Sequence, residues 1–423
     1  MRALLALPLS LVICSVGAQQ QDREQFPDLP HEAQVAAALA GDPGVQAALS
    51  GVDFERAQSR ALSAGSYEFT LRADAARRRV NDPHDTYGEW SMALERPVRL
   101  PGKAALDRQL GSQGVKVAQA GAGDAMHEAG RTLLRLWFAW VKENAQLDLW
   151  RQQAALAREQ ATAVQKRERA GDAPKMELDL AEAAAVQSEA NWIQARSRES
   201  TARSTLVRSF PAITAPEHAT LVEPRPMEQG IDYWSERVLT HNHQLAAARA
   251  EVERRTLSSA RMRADRRPDP TLGVRYGNEF GGDEKVAGIY VSVPLPGSAR
   301  RAASEASVFQ LAEARAREAV ILRQAGVETA AAVEQVNAGY ENWQRMRLAA
   351  DGLRRHADLA TRAYQLGESG LPEVLAARRL ALEARLAAIT AQANSQEVRY
   401  LLLLDAHRLW PLDVDEAAVH AGH

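Results

Sequence analysis

Leu39-Ala40-Gly41-Asp42-Pro43-Gly44-Val45-Gln46-Ala47-Ala48 returns two hundred residues later as Leu239-Thr240-His241-Asn242-His243-Gln244-Leu245-Ala246-Ala247-Ala248. Working outward from this pair, Pro97 with Pro101-Gly102 corresponds to Pro294 with Pro296-Gly297, at offsets of 197 and 195. Gly171, followed six residues on by Glu177, corresponds to Gly367, followed six residues on by Glu373, at an offset of 196. Three independent signals keep one order and nearly one spacing. A period of that size is far longer than a solenoid unit, so the chain is a duplicated half-structure.

Each half contains a stretch of about seventy residues without proline, Lys103 to Ala173 and Ala299 to Leu371, rich in Ala, Leu, Glu, Gln and Arg. These are strong helix formers, and the helices they predict far exceed globular length. In the second stretch Leu322, Ala325, Thr329, Ala332, Val336, Gly339, Trp343, Met346 and Ala350 alternate steps of three and four. Leu382, Leu386, Ile389, Ala393, Gln396, Tyr400 and Leu403 repeat the pattern further on. Both are heptad seams, and their small residues allow close helix approach. At 1.5 Å rise per residue, such helices reach roughly 100 Å and predict an elongated coiled-coil object.

Before each long helix the period switches to two. Tyr67, Phe69, Leu71 and Ala73 alternate with Glu68, Thr70, Arg72 and Asp74, and beyond a loop at Asn81-Asp82-Pro83 the apolar set is Trp90, Met92 and Leu94. In the second half Leu272, Val274 and Tyr276, then Ala287, Ile289, Val291 and Val293, flank the loop Gly281-Gly282-Asp283-Glu284. Each half therefore carries one hairpin whose strands have the length and alternation of a membrane-crossing pair. An ordinary hairpin on a soluble core shows the same alternation; an export signal and the duplication favour the membrane. Four strands cannot close a barrel with a lumen, so the barrel has to be shared between protomers.

Met1-Arg2, an apolar run to about Cys14 and Val16-Gly17-Ala18 form a signal peptide with cleavage after Ala18. Cys14 is the only cysteine; lipid attachment there is disfavoured by Ile13, and its removal with the signal leaves no disulfide or thiol chemistry. No stretch reaches eighteen apolar residues. The balance of 52 Lys and Arg against 54 Asp and Glu, a formal charge of −2, gives no argument for nucleic acid binding. Phosphate-loop, zinc-protease and nucleophile-elbow motifs are absent, so no catalytic residue and no cofactor is expected, and the chain reads as a non-enzyme.

The order helix, hairpin, long helix, tip and return helix, performed twice, resembles the TolC-type outer-membrane efflux factors. The residues that carry the resemblance are Leu94-Glu95-Arg96-Pro97, Val293-Pro294-Leu295-Pro296-Gly297, Arg169-Ala170-Gly171-Asp172 and Tyr364-Gln365-Leu366-Gly367-Glu368, from about Pro30 to about Trp410. The short loops and the lead-in Arg267-Pro268-Asp269-Pro270 look more like the heavy-metal cation branch than the drug or protein-secretion branches. The resemblance implies a mainly α fold with a small β part. It also implies a homotrimer with a twelve-stranded β-barrel in the cell outer membrane and a twelve-helix α-barrel in the periplasm. Its implied partners are a periplasmic adaptor, an inner-membrane RND pump and outer-membrane lipid. The expected organisation is signal peptide 1–18, first repeat 19–210 (hairpin about 66–97, tip about 170–175), crossover 211–230, second repeat 231–410 (hairpin about 271–295, tip about 366–372) and tail 411–423.

Gly171 and Gly367 stand where long helices must reverse, which glycine serves by its freedom at positive φ; the resemblance adds adaptor contact. Asp172 with Glu368, and Glu177 with Glu373, are matched acids that threefold symmetry would turn into rings at a periplasmic entrance, favouring cations. Their other reading is as helix-start carboxylates on the dipole of the return helix. The second acid usual in the family one turn beyond is replaced by Ala376. His241 and His243 are weak metal candidates, since an i, i+2 pair seldom shares one ligand sphere.

Two further readings stand beside the efflux duct. One is a soluble periplasmic coiled-coil scaffold or adaptor, in which the hairpins pack into a core. The other keeps the channel and changes its cargo to drugs or secreted polypeptide.

Overall fold

The computed structural model describes residues 26–82 and 84–410. The expected signal peptide and the tail lie outside the described residues. Among the latter, each α-helix and each β-strand has a counterpart in the other half. Helices α1 (Glu32–Ala40) and α2 (Pro43–Ala64) precede strands β1 (Thr70–Asn81) and β2 (His84–Pro97), then helices α3 (Lys103–Arg169) and α4 (Lys175–Ser209). After an irregular segment come α5 (Ile231–His241), α6 (His243–Ala264), β3 (Thr271–Glu279), β4 (Glu284–Ser292), α7 (Ser298–Gln365) and α8 (Leu371–Asp405).

The first matched sequence pair proves to be a pair of helix starts. Asp42 Oδ1 accepts from the backbone N–H groups of Gly44 at 2.8 Å and Val45 at 3.1 Å, opening α2. Asn242 Oδ1 accepts from that of Leu245 at 2.7 Å, opening α6. Both satisfy donors that the first turn leaves without helical partners. The two helices have the same length, 22 residues, and α4 and α8 are both 35 residues long.

The four strands form one antiparallel sheet in the order β1-β2-β3-β4, so the repeats join through β2 and β3. Leu71, Leu94, Val274 and Ile289 are aligned across it, as are Ala73, Met92, Tyr276 and Ala287. The first row is 69%, 43%, 54% and 84% exposed, so this apolar face is covered by nothing among the described residues. Side chains of period two put the intervening residues on the other face. There Arg72 pairs with Glu95 at 3.3 Å, Arg78 with Glu89 at 2.7 Å and Glu279 at 3.3 Å, and Tyr290 donates to Glu95 at 2.6 Å. Gly273 faces Tyr290, and a Cβ at Gly273 would lie 2.3 Å from its ring. The sheet is apolar outside, charged inside, and paired on one side only at β1 and β4.

Tyr67 departs from the expected stripe. It precedes the first strand, and its hydroxyl donates to Asp269 at 2.8 Å. The heptad reading of α7 holds along Ala325, Thr329, Val336, Trp343 and Ala350, which are buried, whereas Leu322 and Met346 remain 42% and 38% exposed. In α8, Ile389, Ala393, Gln396, Tyr400 and Leu403 are buried as the seam requires.

Near the sheet α2, α3, α6 and α7 run side by side; away from it α3, α4, α7 and α8 do. Between these regions lies the main core, where Leu133, Leu134, Phe138 and Trp140 of α3 pack with Val336, Tyr400 and Leu404. No described helix is long and apolar enough to cross a membrane.

Candidate functional site

The two tips close by the same turn. Asp172 N–H bonds to Arg167 O at 2.8 Å and Glu368 N–H to Ala363 O at 2.8 Å, with Gly171 at φ 79° and Gly367 at φ 78°. These bonds satisfy the last carbonyls of α3 and α7 through a left-handed residue. Nothing lies within 4 Å of a Cβ built on either glycine. Gly171→Ala and Gly367→Ala should therefore each lose about 1 kcal/mol of backbone origin alone, read as a shift in the denaturation midpoint.

The matched acids do different local work. Glu177 sits in a lock that spans both repeats: Arg167 donates to Glu177 Oε1 at 3.3 Å, to Tyr364 Oη at 2.8 Å and to Asp172 Oδ2 at 3.2 Å. Tyr364 Oη in turn donates to Glu177 Oε1. Burial, reinforced by the Glu177 carboxylate, pushes the Tyr364 phenol up to about 12. Hydrogen bonding to Asp172 raises Arg167 above its ordinary value. Glu373, by contrast, is exposed and accepts from the Gly370 N–H at 3.1 Å, capping α8. Ala363 stands where the second repeat would need the arginine, and Glu368 is exposed. Arg167 escaped the sequence reading because the helix-end basic residues Lys166, Arg167 and Arg169 are indistinguishable there; only packing brings one of them onto Tyr364.

His241 and His243 lie at the junction of α5 and α6, where the fold adds two histidines from distant parts of the chain. The His407 ring stacks on His241 at 4.9 Å and on His127 at 5.6 Å, and lies 5.1 Å from His243. His407 adopts φ 52° just beyond α8, a left-handed position that usually selects glycine. A Cβ on Gly123 would fall 2.5 Å from the His243 Nδ1, so α3 must carry glycine there. Stacked rings direct their nitrogens along separate planes, and among the described residues no group of three or more His, Cys, Asp or Glu is placed to hold a metal ion. Burial, with Arg131 and the neighbouring histidines, lowers His127 to about 3.

A third cluster lies under the sheet. Lys103, 2% exposed, contacts Asp265 at 3.0 Å and Asp269 at 2.9 Å, and donates to Arg267 O at 2.7 Å. Arg261 and Arg99 meet Asp107 at 2.6 Å and 3.3 Å. Burial alone would raise Asp269, but bonds from the Leu100 N–H, Lys103 and Tyr67 overcome it and hold the carboxyl below its usual range. The Arg267-Pro268-Asp269-Pro270 segment is thus the pin between the sheet and the helices.

Residues 234–401 match the family model described as outer membrane efflux protein. No curated protein matches the chain. A membrane protein from Pseudomonas aeruginosa is similar over 90% of this chain and 92% of its own, at TM-score 0.76 and 18% identity. The outer membrane channel CmeC of Campylobacter jejuni is similar over 99% and 97%, at 0.74 and 12%. The outer membrane protein VceC of Vibrio cholerae is similar over 90% and 99%, at 0.70 and 19%. The second repeat thus matches the outer membrane efflux protein family model, and the chain shares its fold over nearly its whole length with solved outer-membrane channels.

Proposed function

We propose that the protein is the outer-membrane exit duct of a tripartite efflux pump. Three copies each contribute four strands to a shared barrel in the outer membrane, and their long helices continue it as a periplasmic tunnel. The observation that carries this reading is the sheet: an uncovered apolar face, a charged opposite face and two edges paired on one side only. In lipid such edges must find partners, and a ring of copies supplies them without an exposed backbone. The turns at Gly171 and Gly367 meet a periplasmic adaptor, which couples the duct to an RND-type inner-membrane pump; the duct itself needs no catalysis.

Heavy-metal cations are the cargo we favour over drugs or polypeptide. The face opposite the apolar one carries Asp74, Asp85, Glu89, Glu95, Glu279 and Glu284 against Arg72, Arg78 and Arg275, and this acid excess favours cations in a lumen. The periplasmic entrance is held by the Arg167–Glu177–Tyr364 lock, with Asp172, Glu368 and Glu373 supplying further carboxylates around it.

Extraction and sizing of the protein from outer membranes tests the assembly: a heat-sensitive trimer that requires detergent is expected, and a detergent-free monomer or dimer would return the hairpins to a scaffold's core. The lock has its own test in planar bilayers. Tyr364→Phe combined with Arg167→Gln should raise single-channel conductance severalfold by freeing α7 from α3 and α4, and unchanged conductance would remove the lock from gating.

A further inference from the structure

We propose that the outer rim of the barrel binds phosphate-bearing lipid headgroups through Arg77, Arg79 and Lys285. The inference rests on the outer-membrane reading above and adds a lipid partner of defined chemistry. Residues of β1 share the apolar face at Leu71, Ala73 and Ala75, and strict alternation carries that face on to Arg77 and Arg79. On β4 the same face runs Val291, Ile289, Ala287 and then Lys285. The row Ala75, Trp90, Asn278, Lys285 marks the change of character. Apolar side chains end there, and Trp90 stands 6.0 Å from Tyr276 of the row below as an aromatic pair. Such rings mark the level of the headgroups in membrane barrels.

Beyond that level the outward face is basic and the inward face acidic. Arg78, between Arg77 and Arg79, points inward and is paired with Glu89 and Glu279. Arg72 and Arg275, also inward, are paired with Glu95 and Glu279. Arg77, Arg79 and Lys285 have no carboxylate within ion-pair distance among the described residues, and His84 and Thr86 stand on the same outward face of β2, below the hairpin turns that carry Asp82 and Asp283. The hairpin turns lie at the end of the sheet away from the helices, so this rim faces the outer leaflet. Alternation could have placed carboxylates on it as readily as on the inner face. Cations at headgroup depth attract lipid phosphates, and arginine binds phosphate through two parallel N–H donors. In a trimer the rim repeats three times around the barrel.

The test uses the full-length protein in neutral detergent with fluorescent phosphatidic acid as probe, phosphatidylcholine as the uncharged match and inorganic phosphate as competitor. The expected result is retention of phosphatidic acid at least tenfold tighter than phosphatidylcholine, weakening in high salt. The triple variant Arg77→Gln/Arg79→Gln/Lys285→Gln should lose that preference to within about twofold, while Arg78→Gln keeps it. Equal retention of both lipids by the unaltered protein, or a preference that survives the triple change, would overturn the proposal. So would displacement of the probe by inorganic phosphate at equal concentration, which would mark a free-anion site. Should the triple variant not assemble, Arg79→Gln alone, the outermost of the three, is expected to weaken retention severalfold, and no change there also overturns it. A preparation that is soluble and not trimeric without detergent would instead defeat the outer-membrane reading itself, so the two failures are distinguishable.

Discussion

Lys103→Met should cost about 3–5 kcal/mol and abolish the assembly expected in detergent, because it strips the buried partner from two carboxylates at once. Asp265 and Asp269 contact the ammonium at 3.0 Å and 2.9 Å, and neither has another lysine within reach among the described residues. Arg261 still engages Asp265, so Asp269 bears most of the loss. This aspartate also accepts from the Leu100 N–H at 3.0 Å and the Tyr67 hydroxyl at 2.8 Å. Uncompensated charge there loosens the exit of β2, the start of α3 and the lead-in to β3 together. Denaturant unfolding of Lys103→Met, Asp269→Asn and the double variant checks it. A double-variant loss well below the sum of the singles is expected for a coupled pair, and strict additivity would show that the contact is incidental.

Between pH 7 and pH 5 the unaltered protein should lose about 2 kcal/mol more stability than His127→Gln. The folded-state value of about 3 lies below the ordinary 6.5, so the neutral ring is the one the fold accommodates. The unfolded chain binds this proton first as pH falls. Stability from the neutral ring is therefore complete above about pH 6.5 and drains away down to about pH 3. The groups facing His127 are Asp124, Glu128 and Arg131 on its own helix, His243 on α6, Glu328 on α7, and Asp405 and His407 at the end of α8. Burial raises Asp124 and Asp405, which opposes the trend as pH falls, and this is why the difference from the variant, not the absolute slope, is the quantity to read. Glutamine preserves a side-chain amide for the Leu404 carbonyl that His127 Nε2 meets at 3.2 Å. Equal slopes for the two proteins would mean that His127 protonates freely in the folded state.

Much of this molecule was legible in its residues. Proline-free runs of Ala, Leu, Glu and Arg can only form long helices, and alternation before each of them can only form strands; both follow from local backbone and side-chain geometry. Duplication was legible because matched capping residues, Asp42 and Asn242, and matched turn glycines, Gly171 and Gly367, answer local demands that recur in each half. The sites were less legible, because they depend on contacts across the duplication. Asp269 stood out within a motif, but its partner Lys103 lies 166 residues away and looked like any helix-start lysine. Glu177 and Glu373 look equivalent in sequence, yet only one meets an arginine and a tyrosine.

By itself, then, the sequence determined what each segment is: helix, strand, turn or cap, and which face of each strand is apolar, since those follow from neighbours three or four residues apart, or two. Tertiary structure alone decided which segments meet: that β2 pairs with β3, that Arg167 reaches Tyr364 and that four histidines from 127 to 407 gather at one junction. Such meetings are set by long helices packing along their whole length, where a shift of one turn, about 5.4 Å, would exchange every cross-chain partner while leaving each local pattern unchanged.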